Sequence, residues 1–418
     1  MCHLCTAGEI GKSSFALAWI MDEDESERER GVTIDIATKS ISTQSHDITI
    51  LDAPGHADYV PAMITGAGVS DVGILVVSSA RGEFESGFDS AVGSNRPTGQ
   101  TREHITLARG LGVSQLIVAV NKLDSSEPSW SQVRFEEIKA RLEPFLQLNG
   151  FNMNRVQFVP ISGLTGVNIK KKATADERAV DLAQWYKGQT LLEAIDSFQP
   201  AKRNIEKPFR FIISDLYQEG KGIIAKGRVV QGMISVGDKV SILPIGDIAT
   251  VNRVERAVGN TDEDELDAER MKVALAGESI DLFLVGIDIA RVTVGNIISD
   301  ANLSLRPAIQ KKFLAKILVM DDITVPIIRG SQFLLHMHTL DVPATINFIN
   351  SKTGKDGVEI SRPRVLVGGS SASVEIKLSE KLCLETYAEC KALGRFVLRR
   401  GGDTVAVGII ESLVKSEK

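Results

Sequence analysis

The stretch Asp52-Ala53-Pro54-Gly55-His56 decides how the rest of this chain is interpreted. It directly follows the apolar run Ile48-Thr49-Ile50-Leu51, so a strand ends in an acidic residue and a Pro-Gly turn comes next. A glycine at this place leaves its backbone N–H accessible, which suits contact with the terminal phosphate of a nucleotide. Pro and Gly also favour ordinary turns, so for this stretch alone both interpretations stay open.

Length and composition limit the number of domains and the kinds of partner that this protein can have. The chain has 418 residues, 43% hydrophobic and 24% charged, and a formal net charge of -6. This length exceeds one ordinary hydrophobic core, so two or three domains are expected. The acidic balance argues against a surface that coats nucleic acid, so RNA contact would be regional and DNA is not an expected partner. The apolar run at residues 15–21 is too short to span a membrane, and no membrane association is predicted.

The cysteines and histidines give little support for metal or disulfide chemistry. Four cysteines in so long a chain do not make a disulfide framework, which favours a reducing, cytoplasmic setting. Cys2 and Cys5 form a C-x-x-C pair, but no second close pair completes the four ligands of structural zinc. His336 and His338 are two apart and would share one face of a strand; without a third ligand, ordinary strand residues are the preferred interpretation.

Strands alternate with helices across residues 33–197, which indicates a doubly wound, mainly parallel sheet. The predicted buried strands are residues 72–77, 115–120 and 156–159. The predicted helices are residues 57–69, 100–111 and 135–148. The polar segment 82–99, rich in Gly and Ser, is predicted to be a loop.

The periodicity changes after Pro208, where helical spacing fades and short strands recur between Gly turns. The segment Arg400-Gly401-Gly402-Asp403 lies between two apolar runs and is a strong hairpin signal. We therefore expect two β-barrels after the α/β domain. The predicted domains are residues 1–204, residues 205–304 and residues 305–418.

A second informative tetrapeptide, Asn121-Lys122-Leu123-Asp124, follows the predicted strand 115–120. Asp124 can accept hydrogen bonds from the N1–H and 2-amino groups of guanine, a pattern that adenine lacks. The wrong base would leave a buried carboxylate unpaired, which gives selectivity. The carboxyl end of a strand is also where α/β sheets bind ligands. Farther along, Ser162-Gly163-Leu164 could place backbone N–H groups against the base carbonyl, although in isolation it is a turn.

Two segments near the start of the chain bear on phosphate binding. Thr33 follows Gly31-Val32 and precedes a β-branched strand, where its hydroxyl could reach a metal-bound phosphate. Gly11-Lys12-Ser13-Ser14 matches part of a phosphate loop, but the full pattern requires Gly where Thr6 stands and a strand upstream. The printed sequence therefore contains no complete phosphate loop.

The order of these motifs resembles that of the translational GTPases. The resemblance rests on Arg30-Gly31-Val32-Thr33, the stretches at 52–56 and 121–124, and Ser162-Gly163-Leu164, followed by two barrels. Further segments narrow it to the elongation factor one alpha group, and most of all to its Hbs-type ribosome-rescue GTPases. Two of them are Gln184-Trp185-Tyr186-Lys187-Gly188 and Leu393-Gly394-Arg395-Phe396-Val397-Leu398-Arg399. The resemblance covers nearly all of the chain.

The resemblance implies GTP and GDP as cofactors, together with Mg²⁺. Thr33 would meet the metal and the terminal phosphate, and Asp52 would support the same metal through water. Gly55 would donate its N–H to that phosphate, and His56 would orient the attacking water on the ribosome. The residues implied to hold guanine are Asn121, Lys122, Asp124, Ser162, Gly163 and Leu164.

The resemblance also implies a fold and partners. The expected fold class is α/β plus all-β: a P-loop-type GTPase domain whose sheet lacks its first strand, followed by two β-barrels. The expected partners are the ribosome and a Pelota-like factor delivered to stalled ribosomes, in ribosome rescue and mRNA surveillance. Two departures from the family are an insertion at residues 90–98 and Ser78, where the family often has an acidic residue.

The absent phosphate loop and first strand have two expected consequences. Each charge-assisted hydrogen bond is worth roughly 1.5 to 3 kcal/mol, so losing three removes on the order of 5 to 9 kcal/mol. GTP would then bind roughly a thousandfold to a millionfold more weakly. The middle of the sheet would also be open, exposing apolar edges. The alternative functions are a release-factor or elongation-factor GTPase and, in another class, an inactive GTPase-like binding module.

Overall fold

The computed structural model describes residues 36–43, 45–56, 59–89, 99–175, 177–256, 270–321, 323–354 and 357–414. The chain divides into two compact units, Met1–Pro200 and Ala201–Lys418. Thr33, the C-x-x-C pair and the partial match at residues 11–14 lie outside the described residues, as does the predicted insertion at residues 90–98.

The first unit is an α/β domain. Its strands are β1 (Ala37–Ser42), β2 (Asp47–Asp52), β3 (Gly73–Ser78), β4 (Leu116–Asn121) and β5 (Val156–Pro160). Its α-helices are α1 (Val60–Val69), α2 (Glu83–Phe88), α3 (Gln100–Leu111), α4 (Gln132–Leu148), α5 (Val180–Trp185) and α6 (Leu191–Asp196). Strands β3, β4 and β5 form a parallel sheet in that order. The apolar run of β4 is buried up to Asn121, which confirms the predicted buried strand and places the polar tetrapeptide at its carboxyl end.

Among the described residues, β3 lies at one edge of this sheet. Strands β1 and β2 form a separate antiparallel pair, and within the described part of the chain β3 pairs with β4 alone. A parallel sheet is normally covered on both faces, yet Ile74 and Val76 of β3 are 43% and 60% exposed.

The segment 82–99 is not wholly a loop, because it contains α2. Gly82 precedes this helix with a φ of 85°, and its N–H donates to the Glu85 carboxylate at 2.7 Å. Phe84 and Phe88, one helical turn apart, are both buried with their ring centroids 5.5 Å apart. The loop prediction was wrong because Gly and Ser content was weighed above this aromatic pair, whose burial stabilises the helix.

The second unit consists of two closed β-barrels. The strands of the first are β6 (Arg210–Glu219), β7 (Gly222–Gln231), β8 (Met233–Ser235), β9 (Lys239–Leu243), β10 (Asp247–Arg256), β11 (Arg270–Met271), β12 (Val273–Leu275), β13 (Ser279–Val285) and β14 (Ile297–Asp300). Six of them close in the order β9-β14-β6-β7-β13-β10, with β10 pairing back to β9. Strand β11 extends β10, and β8 with β12 forms a separate ribbon.

The second barrel follows a short 3₁₀ helix at Leu303–Leu305. Its strands are β15 (Ala308–Val319), β16 (Ile327–Ile328), β17 (Gln332–Met337), β18 (Leu340–Thr353), β19 (Glu359–Ser361), β20 (Val365–Leu366), β21 (Ser371–Leu384), β22 (Arg395–Arg400) and β23 (Asp403–Leu413). Six close in the order β17-β22-β23-β15-β21-β18, with β18 pairing back to β17. Gly401 and Gly402 turn the predicted hairpin β22–β23 with φ angles of 61° and 92°.

The predicted fold class is therefore confirmed: an α/β domain precedes two six-stranded barrels. The domain boundaries at 204/205 and 304/305 stay predictions, since the two barrels belong to one compact unit. None of the helices that the structure describes is long and apolar enough to cross a bilayer.

Candidate nucleotide site

The Asn121 side chain joins the two loops that the sequence assigns to guanine. Asn121 is the last residue of β4, and Lys122 follows in the left-handed conformation with a φ of 65°. Asn121 Oδ1 accepts the backbone N–H of Lys122 at 2.8 Å and that of Gly163 at 2.8 Å. A Cβ built on Gly163 would lie 3.4 Å from the Asn121 amide. The close approach of the two loops therefore suits a glycine.

Asp124 presents its carboxylate beside this junction. It belongs to a 3₁₀ helix, Leu123–Ser125, which is anchored by the fully buried Leu123. Ser129 Oγ donates to the backbone carbonyl of Asp124 at 2.8 Å. No described residue donates a hydrogen bond to the Asp124 carboxylate, whose oxygens are therefore available to accept from a ligand.

The Ser162-Gly163-Leu164 loop offers one backbone donor rather than three. The Ser162 N–H donates to the carbonyl of Val167 at 3.2 Å, and the Gly163 N–H donates to Asn121. Leu164 is 72% exposed, and among the described residues its N–H has no acceptor. Of the three N–H groups expected to face the base carbonyl, only that of Leu164 is therefore available. The N–H groups of Ser162 and Gly163 hold the loop in place instead.

Sequence reasoning gave no role to Glu83, which the structure brings to the same edge of the sheet. Lys122 Nζ lies 2.7 Å from Glu83 Oε2, and Ser78 Oγ donates to the same oxygen at 2.7 Å. The hydrogen bond from Lys122, followed by that from Ser78, lowers the pKa of Glu83. Glu83 lies in the segment 82–99 that was predicted to be a loop, and only its partner Ser78 had been singled out, as the position where the family often has an acidic residue.

The predicted phosphate side is described in part. Asp52 ends β2 and is half-buried, and Gly55 and His56 follow on the surface. The Gly55 carbonyl accepts a hydrogen bond from Gln100 Nε2, and a Cβ at Gly55 would meet nothing within 4 Å. The rings of His56 and Tyr59 lie 5.8 Å apart. Thr33, the remaining predicted phosphate residue, lies outside the described residues.

The donor set fits a guanine base and a magnesium ion of the usual phosphate-bound kind. The available Asp124 carboxylate and the Leu164 N–H are an acceptor and a donor of the type that a guanine edge requires. Mg²⁺ takes oxygen ligands and is often held by one or two protein groups plus phosphates. Asp52, the predicted metal residue that the structure describes, offers a carboxylate of this kind at the end of β2. Within the described ranges no group of three His, Cys, Asp or Glu residues could hold a metal by itself. The phosphates of a bound nucleotide would therefore have to supply further ligands.

The histidine pair does not line one strand face. His336 lies in β17, and its Nδ1 pairs with the Asp341 carboxylate. His338 follows the end of the strand with a φ of 45°, in the turn before β18. Both side chains are buried, as ordinary residues of a barrel would be.

Models of two known protein families match this chain, one in each compact unit. The model of the elongation factor Tu GTP-binding domain matches residues 3–201, and the GTP-eEF1A C-terminal domain-like model matches residues 312–411. Protein HBS1 of Drosophila melanogaster is 40% identical over 414 residues, which are 98% of this chain and 58% of that protein. Elongation factor 1-alpha of Staphylothermus marinus is 38% identical over 409 residues, 97% of this chain and 87% of that protein.

A solved structure shows the same fold. The Ski7 GTPase-like domain of S. cerevisiae, bound to GDP and inorganic phosphate, has a TM-score of 0.75 at 18% identity and covers 98% of this chain and 89% of that one. At that identity the similarity shows the fold alone. The sequence relatives go further, because the alignment with the elongation factor extends over most of both proteins. The chain therefore belongs to the translational GTPases, in the group related to elongation factor 1-alpha.

Proposed function

We propose that this chain is a translational GTPase that delivers a Pelota-like factor to stalled ribosomes in the cytoplasm, in ribosome rescue and mRNA surveillance. The observation that carries the GTPase assignment is the joined guanine site, in which Asn121 Oδ1 holds the Gly163 loop beside the available carboxylate of Asp124. The 40% identity to Protein HBS1 favours the rescue branch. The chain spans 58% of that relative's length. The activity and the partner of a whole rescue GTPase are therefore a proposal for this chain.

On the base side, three groups would recognise guanine. The Asp124 carboxylate would accept from the N1–H and 2-amino groups, and the Leu164 N–H would donate to the base carbonyl. Adenine would leave that carboxylate without a donor, which disfavours its binding. Asn121, Ser162 and Gly163 would position these groups, and Lys122 would lie beside the base while Glu83 holds its ammonium.

On the phosphate side, Thr33 and Asp52 would hold Mg²⁺, which neutralises phosphate charge when it is bound. The Gly55 N–H would contact the terminal phosphate, and His56 would orient the attacking water.

The delivered factor can be identified by competition. The immobilised chain would be offered a Pelota-like factor, a stop-codon release factor and aminoacyl-tRNA, each alone and then mixed, with ribosomes in a separate arm. We expect the immobilised chain to retain the Pelota-like factor. In the mixture, that factor should displace the release factor and aminoacyl-tRNA. Preferential retention of the release factor or of aminoacyl-tRNA would reject the rescue assignment.

Two other functions have an observation in their favour. The 38% identity to elongation factor 1-alpha is consistent with delivery of aminoacyl-tRNA, and the competition above separates it from rescue. A binding module without hydrolysis is favoured by the exposed apolar side chains of β3, where Val76 is 60% exposed. Ribosome-stimulated release of phosphate from GTP would exclude that module, while partner binding without any hydrolysis would support it.

A further inference from the structure

A groove of about 700 Å³ opens on the second barrel, remote in sequence from every residue assigned to the nucleotide. It lies where the end of β19 leads into β20 and where β16 leads into β17. Three of its lining residues, Arg329, Arg362 and Arg364, are exposed arginines. The apolar lining residues are Ile328, Phe348, Ile349 and Pro363.

The three arginines form no ion pair with the residues that the structure describes. None of their guanidinium groups lies within 4.0 Å of a described carboxylate, in contrast to Arg210 and Arg253 of the same unit. Arg329 instead stacks on Phe348, with its guanidinium carbon 4.2 Å from the ring centroid. Unpaired guanidinium groups around one groove favour a ligand that carries negative charge.

The backbone presents these side chains in a fixed arrangement. Arg362 adopts a left-handed conformation with a φ of 49°, and its N–H donates to the carbonyl of Asn350 in β18 at 2.8 Å. Three residues after Arg362, Val365 pairs with Ile328 across the β16–β20 ribbon. The groove is therefore bounded by paired strands and does not depend on an isolated loop.

The walls are more apolar than an anion alone would require. The lining residues Ile328 and Phe348 are 52% and 44% exposed, and Val365, which pairs with Ile328 across the ribbon, is 38% exposed. Contiguous exposed apolar side chains mark interaction surfaces, and arginine beside an aromatic ring is typical of the residues that dominate protein interfaces. A ligand that matches this groove has both carboxylates and apolar side chains.

We propose that this groove binds an extended segment of a partner protein in which acidic residues flank apolar ones. The carboxylates would pair with Arg362 and Arg364, and the apolar side chains would pack on Ile328, Val365 and the Arg329–Phe348 pair. Single-stranded RNA fits less well, because its bases bind by stacking on open aromatic faces, and Arg329 covers the ring of Phe348. The proposal concerns the second unit and is independent of nucleotide binding.

The test starts from short random peptides displayed on phage and selected on the immobilised 418-residue chain. Binders to the variant R362N/R364Q are removed, and asparagine is chosen at 362 because it tolerates the left-handed conformation. The matched control is K377T/K381T, which removes two positive charges from exposed lysines on β21 of the same barrel. Circular dichroism and thermal melting show whether each variant keeps its fold.

We expect the selected peptides to be enriched in Asp or Glu next to Leu, Ile, Val or Phe. A synthetic representative, measured by fluorescence anisotropy, should bind R362N/R364Q at least about tenfold more weakly, since two charge-assisted contacts are lost. Its affinity for K377T/K381T should be unchanged. Three outcomes would overturn the proposal: no enrichment over the variant, enrichment of basic or uncharged peptides, or an oligouridylate that binds more tightly than the peptide and depends on the same arginines.

Discussion

The backbone N–H of Gly163 donates to Asn121 Oδ1 at 2.8 Å, across 42 residues of sequence. The same oxygen accepts the N–H of Lys122 at 2.8 Å. The loop after β4 and the loop after β5 are thus held by one acceptor, and Asp124 and Leu164 keep their positions relative to each other through it.

Replacement of Asn121 by alanine should loosen this junction. Two backbone N–H groups lose their acceptor, and an unsatisfied partly buried donor costs about 1–3 kcal/mol. We expect amide hydrogen exchange at Gly163 to accelerate at least about tenfold, which corresponds to about 1.4 kcal/mol of local opening. Asn121→Asp keeps the acceptor oxygen and serves as the control. Equal exchange rates in the alanine variant and the wild type would show that Asn121 does not hold the loop.

Glu83 should titrate below its ordinary value. The hydrogen bonds from Lys122 and from Ser78 lower its pKa from 4.5. A lowered folded pKa means that the stabilising contact is present above the unfolded value and is lost as the pH drops through the folded value. NMR titration of the side-chain carboxyl carbon should show a pKa below 4.5 that rises in Lys122→Met, and to a smaller extent in Ser78→Ala.

The contact between Glu83 and Lys122 is half exposed, with side chains 53% and 51% accessible. High salt should therefore weaken the shift by screening. A pKa of Glu83 that does not change in Lys122→Met would contradict the structure at this point.

The two barrels are tied by a buried ion pair. Arg210 Nη2 lies 2.6 Å from Glu385 Oε1, and the two side chains are only 4% and 8% exposed. Removing one partner leaves an uncompensated buried charge, so Glu385→Ala should lower the free energy of unfolding of the second unit by about 3–5 kcal/mol. Urea denaturation, followed by a probe in the barrels, measures the effect.

The control for this ion pair is the double variant R210M/E385L, which fills the same space without charge. Buried pairs replaced by apolar residues are often neutral in stability or better, so the double variant should be clearly more stable than Glu385→Ala. A double variant as unstable as the single one would mean that the interface depends on shape or on the other hydrogen bonds of Arg210, to the carbonyls of Phe209 and Leu305.

Local patterns were sufficient to predict much of the fold. The apolar run of β4, its polar continuation at Asn121 and the Gly401-Gly402 turn each carry their signal within a few residues, and the structure has them where they were expected. The α2 helix was missed because two buried aromatic residues outweigh a composition rich in Gly and Ser.

The side-chain network could not be predicted in the same way. Lys122 meets Glu83 across 39 residues and Arg210 meets Glu385 across 175 residues. Such contacts depend on how strands are placed in three dimensions, which no local period encodes. The different roles of Ser162, Gly163 and Leu164 could not be predicted for the same reason. Only the fold shows that the Gly163 N–H donates to Asn121.

The most direct test of the guanine site is NMR of the deuterated, ¹⁵N-labelled 418-residue chain titrated with guanosine and, separately, with adenosine. This measurement detects weak binding and does not depend on phosphate contacts. We expect guanosine to shift the backbone amides of Leu164 and of the loop at Asp124, and Asp124→Ala to abolish these shifts, because the carboxylate that accepts from the guanine edge is gone. Equal shifts with adenosine, or guanosine shifts that persist in Asp124→Ala, would contradict the assignment of this site to guanine.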